Sequence, residues 1–486
     1  MYSRHLAVML FALAALLPQG ALADDEATSN ALTRTLERNR ERYGIAGQAL
    51  LVAHDGRVIF RGVDGEADIA THRAVASDDV FPAYSLAKLF TSTLVMQLVE
   101  QGRVDLDSPA STYVPDLPAA WRAISVRDFL DHTSGVPEYF DNTSASGPAF
   151  ARDLKTVFAS LANKPMLFVP GTDTRYTQTN YLVLAALLAT HYRKPYPQVA
   201  EERIVRKLGL RHTWLGPSGL PEDGVVTSYA GKQGHLQPEK DLDWPPYAYS
   251  HAGLYLTLDD LGRFLQAMTA GELVGKATLR ELWRPRTLPN GQQAWFAAGW
   301  EYGESDGYRQ VGHDGGTRVR VRIAFIDSLD GDVHAFAYLT NGSTRNVWSR
   351  VLVDSAMATA APGRFPAEAL SEDLVAYALR PPVEGDMTAQ AKAIRASSAL
   401  RDAELERVIN NTGYSVRENL GVDPALRVFE LNTVLFPDSA NAWDSLAEAQ
   451  AAKGDANLAK TLRDKARRAS EKKKAENKAG ATSGPP

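Results

Sequence analysis

The chain has 486 residues, with 53 Lys and Arg against 58 Asp and Glu, a formal net charge of −5. That length is too great for one small core and calls for two or three folding units. With 44% apolar and 23% charged residues it reads as a folded globular protein, and no basic excess points to a nucleic-acid surface.

Residues 1–23 read as a secretory signal peptide. Arg4 supplies the positive start, Leu6 to Leu17 is an unbroken apolar run, and Ala21-Leu22-Ala23 is a small-x-small cleavage site. Twelve apolar residues are too few to span a bilayer, and the next longest run, Leu182 to Ala189, is shorter, so no transmembrane anchor is expected. There is no cysteine, which excludes disulfides, thiol nucleophiles and thiolate zinc sites. Together these features predict a periplasmic or secreted protein of bacterial type.

Ala49 to Ala53 and Val58 to Val63 are β-type runs joined through Asp55-Gly56, a hairpin signal. A helix that is apolar on most sides opens near Ser85 and stops at Gly102, so it belongs between other layers. From about Arg103 to Asn290 helices and loops dominate, with a helix over Tyr181 to His191. Strand character returns at Arg318 to Asp327 and Val333 to Thr340, joined through Asp330-Gly331. Strands at both ends and helices between them predict an α+β fold: an antiparallel sheet flanked by helices, with a helical subdomain beside it.

Residues 361–387 carry four prolines and two glycines and read as a connector, so the first folded unit is placed at residues 24–360. Residues 388–470 then form a small all-α unit. Within it, Pro437-Asp438-Ser439 breaks two helices, and Asn-Ala-Trp-x-x-Leu-Ala-x-Ala resembles a tetratricopeptide-type hairpin. Such a unit is marginal alone and is expected to dock on the preceding body, where it is also a candidate surface for a protein partner. Residues 471–486, rich in Lys, Ala, Gly and Ser, read as a disordered tail.

Three separated stretches carry chemistry. Ser85-Leu86-Ala87-Lys88 sets a hydroxyl one helical turn from an amine, at a helix start that favours developing negative charge. A partly desolvated lysine loses its proton near neutral pH and can serve as a base. Ser-x-x-Lys alone is weak, since Ser470-x-x-Lys473 matches it by chance. Tyr176-Thr177-Gln178 adds a phenol able to accept or relay a proton, and His313-Asp314-Gly315-Gly316 adds a side chain followed by glycines that admit close backbone approach.

In this order the three motifs resemble the serine β-lactamase and penicillin-binding-protein superfamily, most of all its class C, esterase and D-peptidase branch. The resemblance covers about residues 30 to 355. It implies a serine hydrolase with an acyl-enzyme on Ser85, and with Lys88 and Tyr176 managing the proton. The backbone N–H groups of Ser85 and Gly316 would form the oxyanion hole, with Gly315 beside it. Gln178 stands where the family usually has asparagine and would touch the acyl group. His313 stands where β-lactamases have lysine and would position a substrate carboxylate or the proton network. The implied substrates are short esters, D-amino-acid peptides in the manner of D-alanyl-D-alanine carboxypeptidases, or cell-wall fragments, ahead of β-lactams. No cofactor or metal is implied. His132, in Asp131-His132-Thr133-Ser134-Gly135, is expected to be scaffold.

A Gly-x-Ser-x-Gly elbow is absent, as are His-x-His and His-Glu-x-x-His, which disfavours an α/β-hydrolase or a metallo-hydrolase. The rival expectation is a catalytically weak or inactive protein of the same fold that works as a periplasmic binding or scaffold protein through its C-terminal helices.

Overall fold

One large sheet with both faces covered organises the computed structural model, which describes residues 19–140, 150–240 and 242–481. Its eight strands run in the order Arg73–Ala74, Arg57–Asp68, Gly47–His54, His334–Thr340, Val319–Phe325, Tyr308–Gly315, Trp300–Ser305 and Phe296–Ala297. Each pairing is antiparallel, so strands from both ends of the first 360 residues meet at its centre. The predicted hairpin forms at Asp55-Gly56, where φ values of 49° and 77° make the tight left-handed turn.

Alternation along the strands assigns each face its own core. Leu51, Ala337, Val321 and Ile323 point inward to the helix Ala87–Glu100 and its neighbours. Leu50, Val52, Phe336 and Tyr338 point the other way, under the helices Gln19–Tyr43 and Ser349–Ala360. The signal-peptide expectation over residues 1–18 lies outside the described residues, and the expected cleavage after Ala23 falls within the first described helix. Among the described residues no helix is long and apolar enough to cross a membrane.

Residues 103–290 hold more strand than the sequence suggests. Val80–Pro82, Leu254–Thr257 and Thr213–Leu215 form a small three-stranded sheet, and Tyr229–Lys232 pairs with His235–Pro238. Strands of three or four residues are too short to show periodicity.

The expected connector at 361–387 contains the helix Pro366–Leu379, with Leu374, Val375, Tyr377 and Ala378 buried. Its prolines fall at the helix start or beyond its end, where they punctuate rather than break it. This helix passes the outer core on to Asp402–Leu420 and Val422–Leu435, whose Ile409, Val416 and Phe429 belong to the same apolar cluster as Phe336 and Tyr338. Ser439 caps the next helix, Ala440–Lys453, by accepting from the Ala442 N–H. The last helix, Ala456–Ala481, continues past residue 471, where the tail was expected.

Because the C-terminal helices share a core with the sheet, a chain ended after Gly385 exposes the apolar side of Pro366–Leu379. Such a truncation is expected to express insolubly or to melt well below the full chain. A soluble truncation with an unchanged melting temperature would show that the two parts fold independently.

Candidate active site

Ser85 sits where the strand Val80–Pro82 turns into the helix Ala87–Glu100, through a single 3₁₀ turn over Tyr84–Leu86. Tyr84 adopts a φ of 46°, a left-handed conformation that a bulky residue holds only when its surroundings impose it. The glycine pair lies directly opposite this turn. A Cβ on Gly315 would lie 2.4 Å from the Ala83 carbonyl oxygen, and one on Gly316 would lie 3.1 Å from the Tyr84 ring. Glycines therefore let the end of Tyr308–Gly315 lie directly on the turn that carries Ser85.

That strand is internal to the sheet, flanked by Val319–Phe325 and Trp300–Ser305. Its pairing with Trp300–Ser305 stops at Gly312, however, and His313 to Gly315 pair only with Val319–Phe325. The strand is internal along most of its length and becomes an edge at the catalytic end.

Lys88 is fully buried, and its Nζ donates to Ser85 Oγ at 3.2 Å and to the His251 carbonyl at 3.1 Å. The amine also lies 4.9 Å from the centre of the Tyr176 ring and 5.4 Å from that of Tyr181. Burial drives its pKa down to about 7, against the opposing pull of Glu138 and Asp314. Tyr176 donates its hydroxyl to Ser85 Oγ at 3.0 Å. Burial pushes its pKa well above the usual phenol range, although the bond to Ser85 works the other way. The lysine is thus the group that titrates near neutrality, and the tyrosine stays a phenol.

The loop bearing Tyr176 is clamped by Asp131 to Gly135, as the scaffold expectation for His132 requires. The Arg175 N–H donates to the His132 carbonyl at 2.9 Å, and the Gly171 N–H donates to the Thr133 carbonyl at 2.8 Å. His132 Nδ1 accepts from the Thr177 N–H and from Asn180, and its ring packs against Tyr176 with centroids 4.5 Å apart and planes tilted by 31°. Burial holds this imidazole well below its usual pKa, so it packs the tyrosine without carrying charge.

Ser85, Tyr176 and Gly316 line a cleft of about 810 Å³. Lys88, Gln178 and His313 are not part of its wall. Gln178 donates its backbone N–H to Glu138 at 2.8 Å, while its Oε1 is buried without a partner. His313 is buried, with Nδ1 directed at the Asp314 carbonyl and its ring 5.9 Å from Tyr176. Burial lowers its pKa, so it offers a substrate carboxylate neither contact nor charge.

The sequence left the cleft wall itself unread. Trp295, Phe296 and Tyr302 contribute aromatic rings to the wall, and Glu301, Glu304 and Asp314 carboxylates, and among the described residues no lysine or arginine lines the space. Arg320 reaches Glu301 from behind, and with Arg322 it draws the pKa of that carboxyl down against the opposing effect of burial. Glu138, the carboxylate behind Lys88, was also missed. No local spacing marks any of these residues, because sheet pairing and loop packing bring them to Ser85.

A serine one helical turn from a buried lysine, joined by a phenol from a second loop and a glycine pair from a third, defines a serine-centred site on an α+β fold. Residues 32–361 match the Beta-lactamase family, and the chain belongs to it. It is 28% identical over 287 residues to a D-aminopeptidase of Brucella anthropi, covering 57% of this chain and 53% of the relative. It is 27% identical over 323 residues to penicillin-binding protein 4 of Amycolatopsis lactamdurans, covering 62% of this chain and 82% of the relative. The chain thus spans about half the length of the curated D-aminopeptidases it matches. Among solved structures, the D-amino acid amidase of Ochrobactrum anthropi SV3 superposes with a TM-score of 0.56 at 21% identity, covering 68% of this chain and 98% of that one.

Burial of Lys88 carries a stability cost that can be measured. A fall from 10.5 to about 7 corresponds to on the order of 5 kcal/mol of lost preference for the ammonium. Removing the amine orphans the His251 carbonyl, which costs about 1–3 kcal/mol, so the first term wins. Lys88→Met is therefore expected to abolish turnover while raising the melting temperature. The unfolded lysine binds a proton up to 10.5 and the folded one only up to about 7, so native stability rises with pH across that window. The variant's advantage is accordingly full below about pH 7 and shrinks as the pH rises toward 10. A uniform loss of stability at every pH would contradict the assigned burial cost.

Proposed function

We propose that this protein is a serine hydrolase that cleaves an ester or amide through an acyl-enzyme on Ser85. The observation that carries the reading is Ser85 Oγ held between a buried amine of pKa about 7 and a phenol that stays protonated. Neutral Lys88 takes the Ser85 proton as Oγ attacks the carbonyl carbon. The N–H groups of Ser85 and Gly316 receive the oxyanion. The lysine proton then passes through the Tyr176 hydroxyl to the leaving alcohol or amine, and the acyl group stays on Ser85. Water attacks the ester next, with its proton returning by the same route, and the acid leaves. In this scheme Tyr176 relays protons and never needs to become a phenolate.

The cleft wall narrows the substrate. Carboxylates of Glu301, Glu304 and Asp314 beside Trp295, Phe296 and Tyr302 suit a substrate with a free ammonium and an apolar side chain. A relative named D-aminopeptidase supports the same choice. Among the described lining residues a β-lactam carboxylate would meet acids and no cation, which places β-lactam hydrolysis behind amine-bearing esters, amides and peptides. Export through residues 1–23 belongs to the same proposal and rests on the apolar run and the small-x-small site. The competing reading, a binding protein working through the C-terminal helices, is disfavoured because an idle site has no need of a destabilising buried amine.

Two measurements test the proposal. Tyr176→Phe is expected to lower kcat by about 10²–10⁴-fold, the usual worth of a positioned proton carrier, with little change in melting temperature. Undiminished turnover would remove Tyr176 from the mechanism. Amino-acid p-nitroanilides of both chiralities, each with a free and an N-acetylated amine, test the cleft. Free-amine substrates are expected to be preferred at least tenfold in kcat/KM, and preference for the acetylated forms would overturn the ammonium reading.

A further inference from the structure

Two histidines that the sequence separates by 280 positions meet at the other end of the sheet. His54 ends the strand Gly47–His54 and His334 begins His334–Thr340, and the two are cross-strand partners on the outer face. Their rings stack with centroids 4.4 Å apart and planes 11° from parallel. Both Nε2 atoms face one oxygen of Asp332, with Oδ1 at 3.3 Å from His54 and 3.2 Å from His334. All three donor atoms lie within 4.8 Å of one another.

The carboxylates around the pair are held in place. Asp332 Oδ2 accepts from the Tyr308 hydroxyl and lies 3.5 Å from Arg364, which leaves Oδ1 turned toward the imidazoles. Asp55 Oδ1 accepts from the Val333 N–H at 2.9 Å, and its Oδ2 stands 3.6 Å from His54 Nε2. Asp55 and Asp332 both sit in turns with positive φ, 49° and 52°, a strained conformation for a residue with a side chain. Each carboxylate therefore has one oxygen anchored and one directed at the histidines.

We propose that His54, His334 and Asp332 form a binding site for a borderline divalent metal ion such as Zn²⁺. Two imidazole nitrogens and one carboxylate oxygen suit such an ion and suit Mg²⁺ or Ca²⁺ poorly. Ligands about 2.1 Å from a shared metal at tetrahedral angles stand roughly 3.3 Å apart, close to the two N···O separations here. Rotation of the half-exposed His54 ring brings its lone pair onto the ion. The bond from Tyr308 to the far carboxylate oxygen is the kind of outer contact that orients a metal ligand. Water completes the coordination.

The place in the fold sets the role. Five residue pairs, about 17 Å along a strand, separate the His334 row from Gly315 at the catalytic end. The site joins the Asp55-Gly56 turn to the segment before His334, beside Phe365, whose ring lies 5.1 Å from that of His334. Phe365 leads into Pro366–Leu379 and so to the C-terminal helices. A bound ion would clasp the sheet to that crossing without touching Ser85.

The test uses the full chain without a histidine tag, dialysed against a chelator and titrated calorimetrically with Zn²⁺, with Mg²⁺ as control. One saturable equivalent of zinc is expected, together with a rise in melting temperature and no change in kcat/KM at Ser85. His54→Gln and Asp332→Asn are each expected to weaken zinc binding at least tenfold and to remove the thermal shift. His54 is half-exposed, so the first variant leaves the core intact. His72→Ala, at an exposed histidine paired with Glu66, is expected to change nothing. Absence of saturable binding, or binding undiminished in His54→Gln, would overturn the proposal.

Discussion

An amine kept out of water organises the catalytic end of this molecule. Lys88 belongs to a helix buried along almost its whole length, and two tyrosine rings, a carbonyl and the serine turn enclose its Nζ. Water would hold the proton and disable the base, while a fully apolar pocket would leave the amine without partners. The fold takes the middle course, and burial alone brings the lysine near neutrality. Tyr176 shares the enclosure and responds in the opposite sense, because burial penalises the charged form of each. One buried pocket therefore favours the neutral amine and the neutral phenol, the two forms that the proposed mechanism uses.

The two faces of the sheet divide the remaining work. The inner face holds the serine helix against the catalytic strand. The outer face carries a second core that extends without interruption into the C-terminal helices. The outer face also carries buried charges, with Arg320 on Glu301 and Arg322 on Asp354, beside the strand that ends in Gly315. The helix Ser349–Ala360, through Asp354, thus anchors the arginine pair next to the acidic wall of the cleft.

Ser85, Lys88, Tyr176 and the glycine pair were legible because each motif is local. Helical spacing binds the first two, and the others sit in loops whose neighbours announce them. The rest depends on contacts across hundreds of residues. Asp314 was visible only as the variable position of a motif, and nothing marked Glu301 or Glu304 as its partners in a wall. His54 and His334 look solitary in the chain because strand pairing, not spacing, makes them neighbours. Proline content concealed the helix Pro366–Leu379, since prolines at helix boundaries and prolines in a linker look alike in composition. The edge at His313 arises where a neighbouring strand stops short, a length mismatch that periodicity does not reveal.

The most direct test of the central claim is the rate at which an activated phosphonate or slow ester labels Ser85, followed by intact mass and peptide mapping across pH. The account predicts a single adduct on Ser85, absent in Ser85→Ala. It also predicts a labelling rate that rises with pH through an inflection near the Lys88 value of about 7. An adduct elsewhere would contradict the account, as would a labelling rate at Ser85 that stays flat through that range.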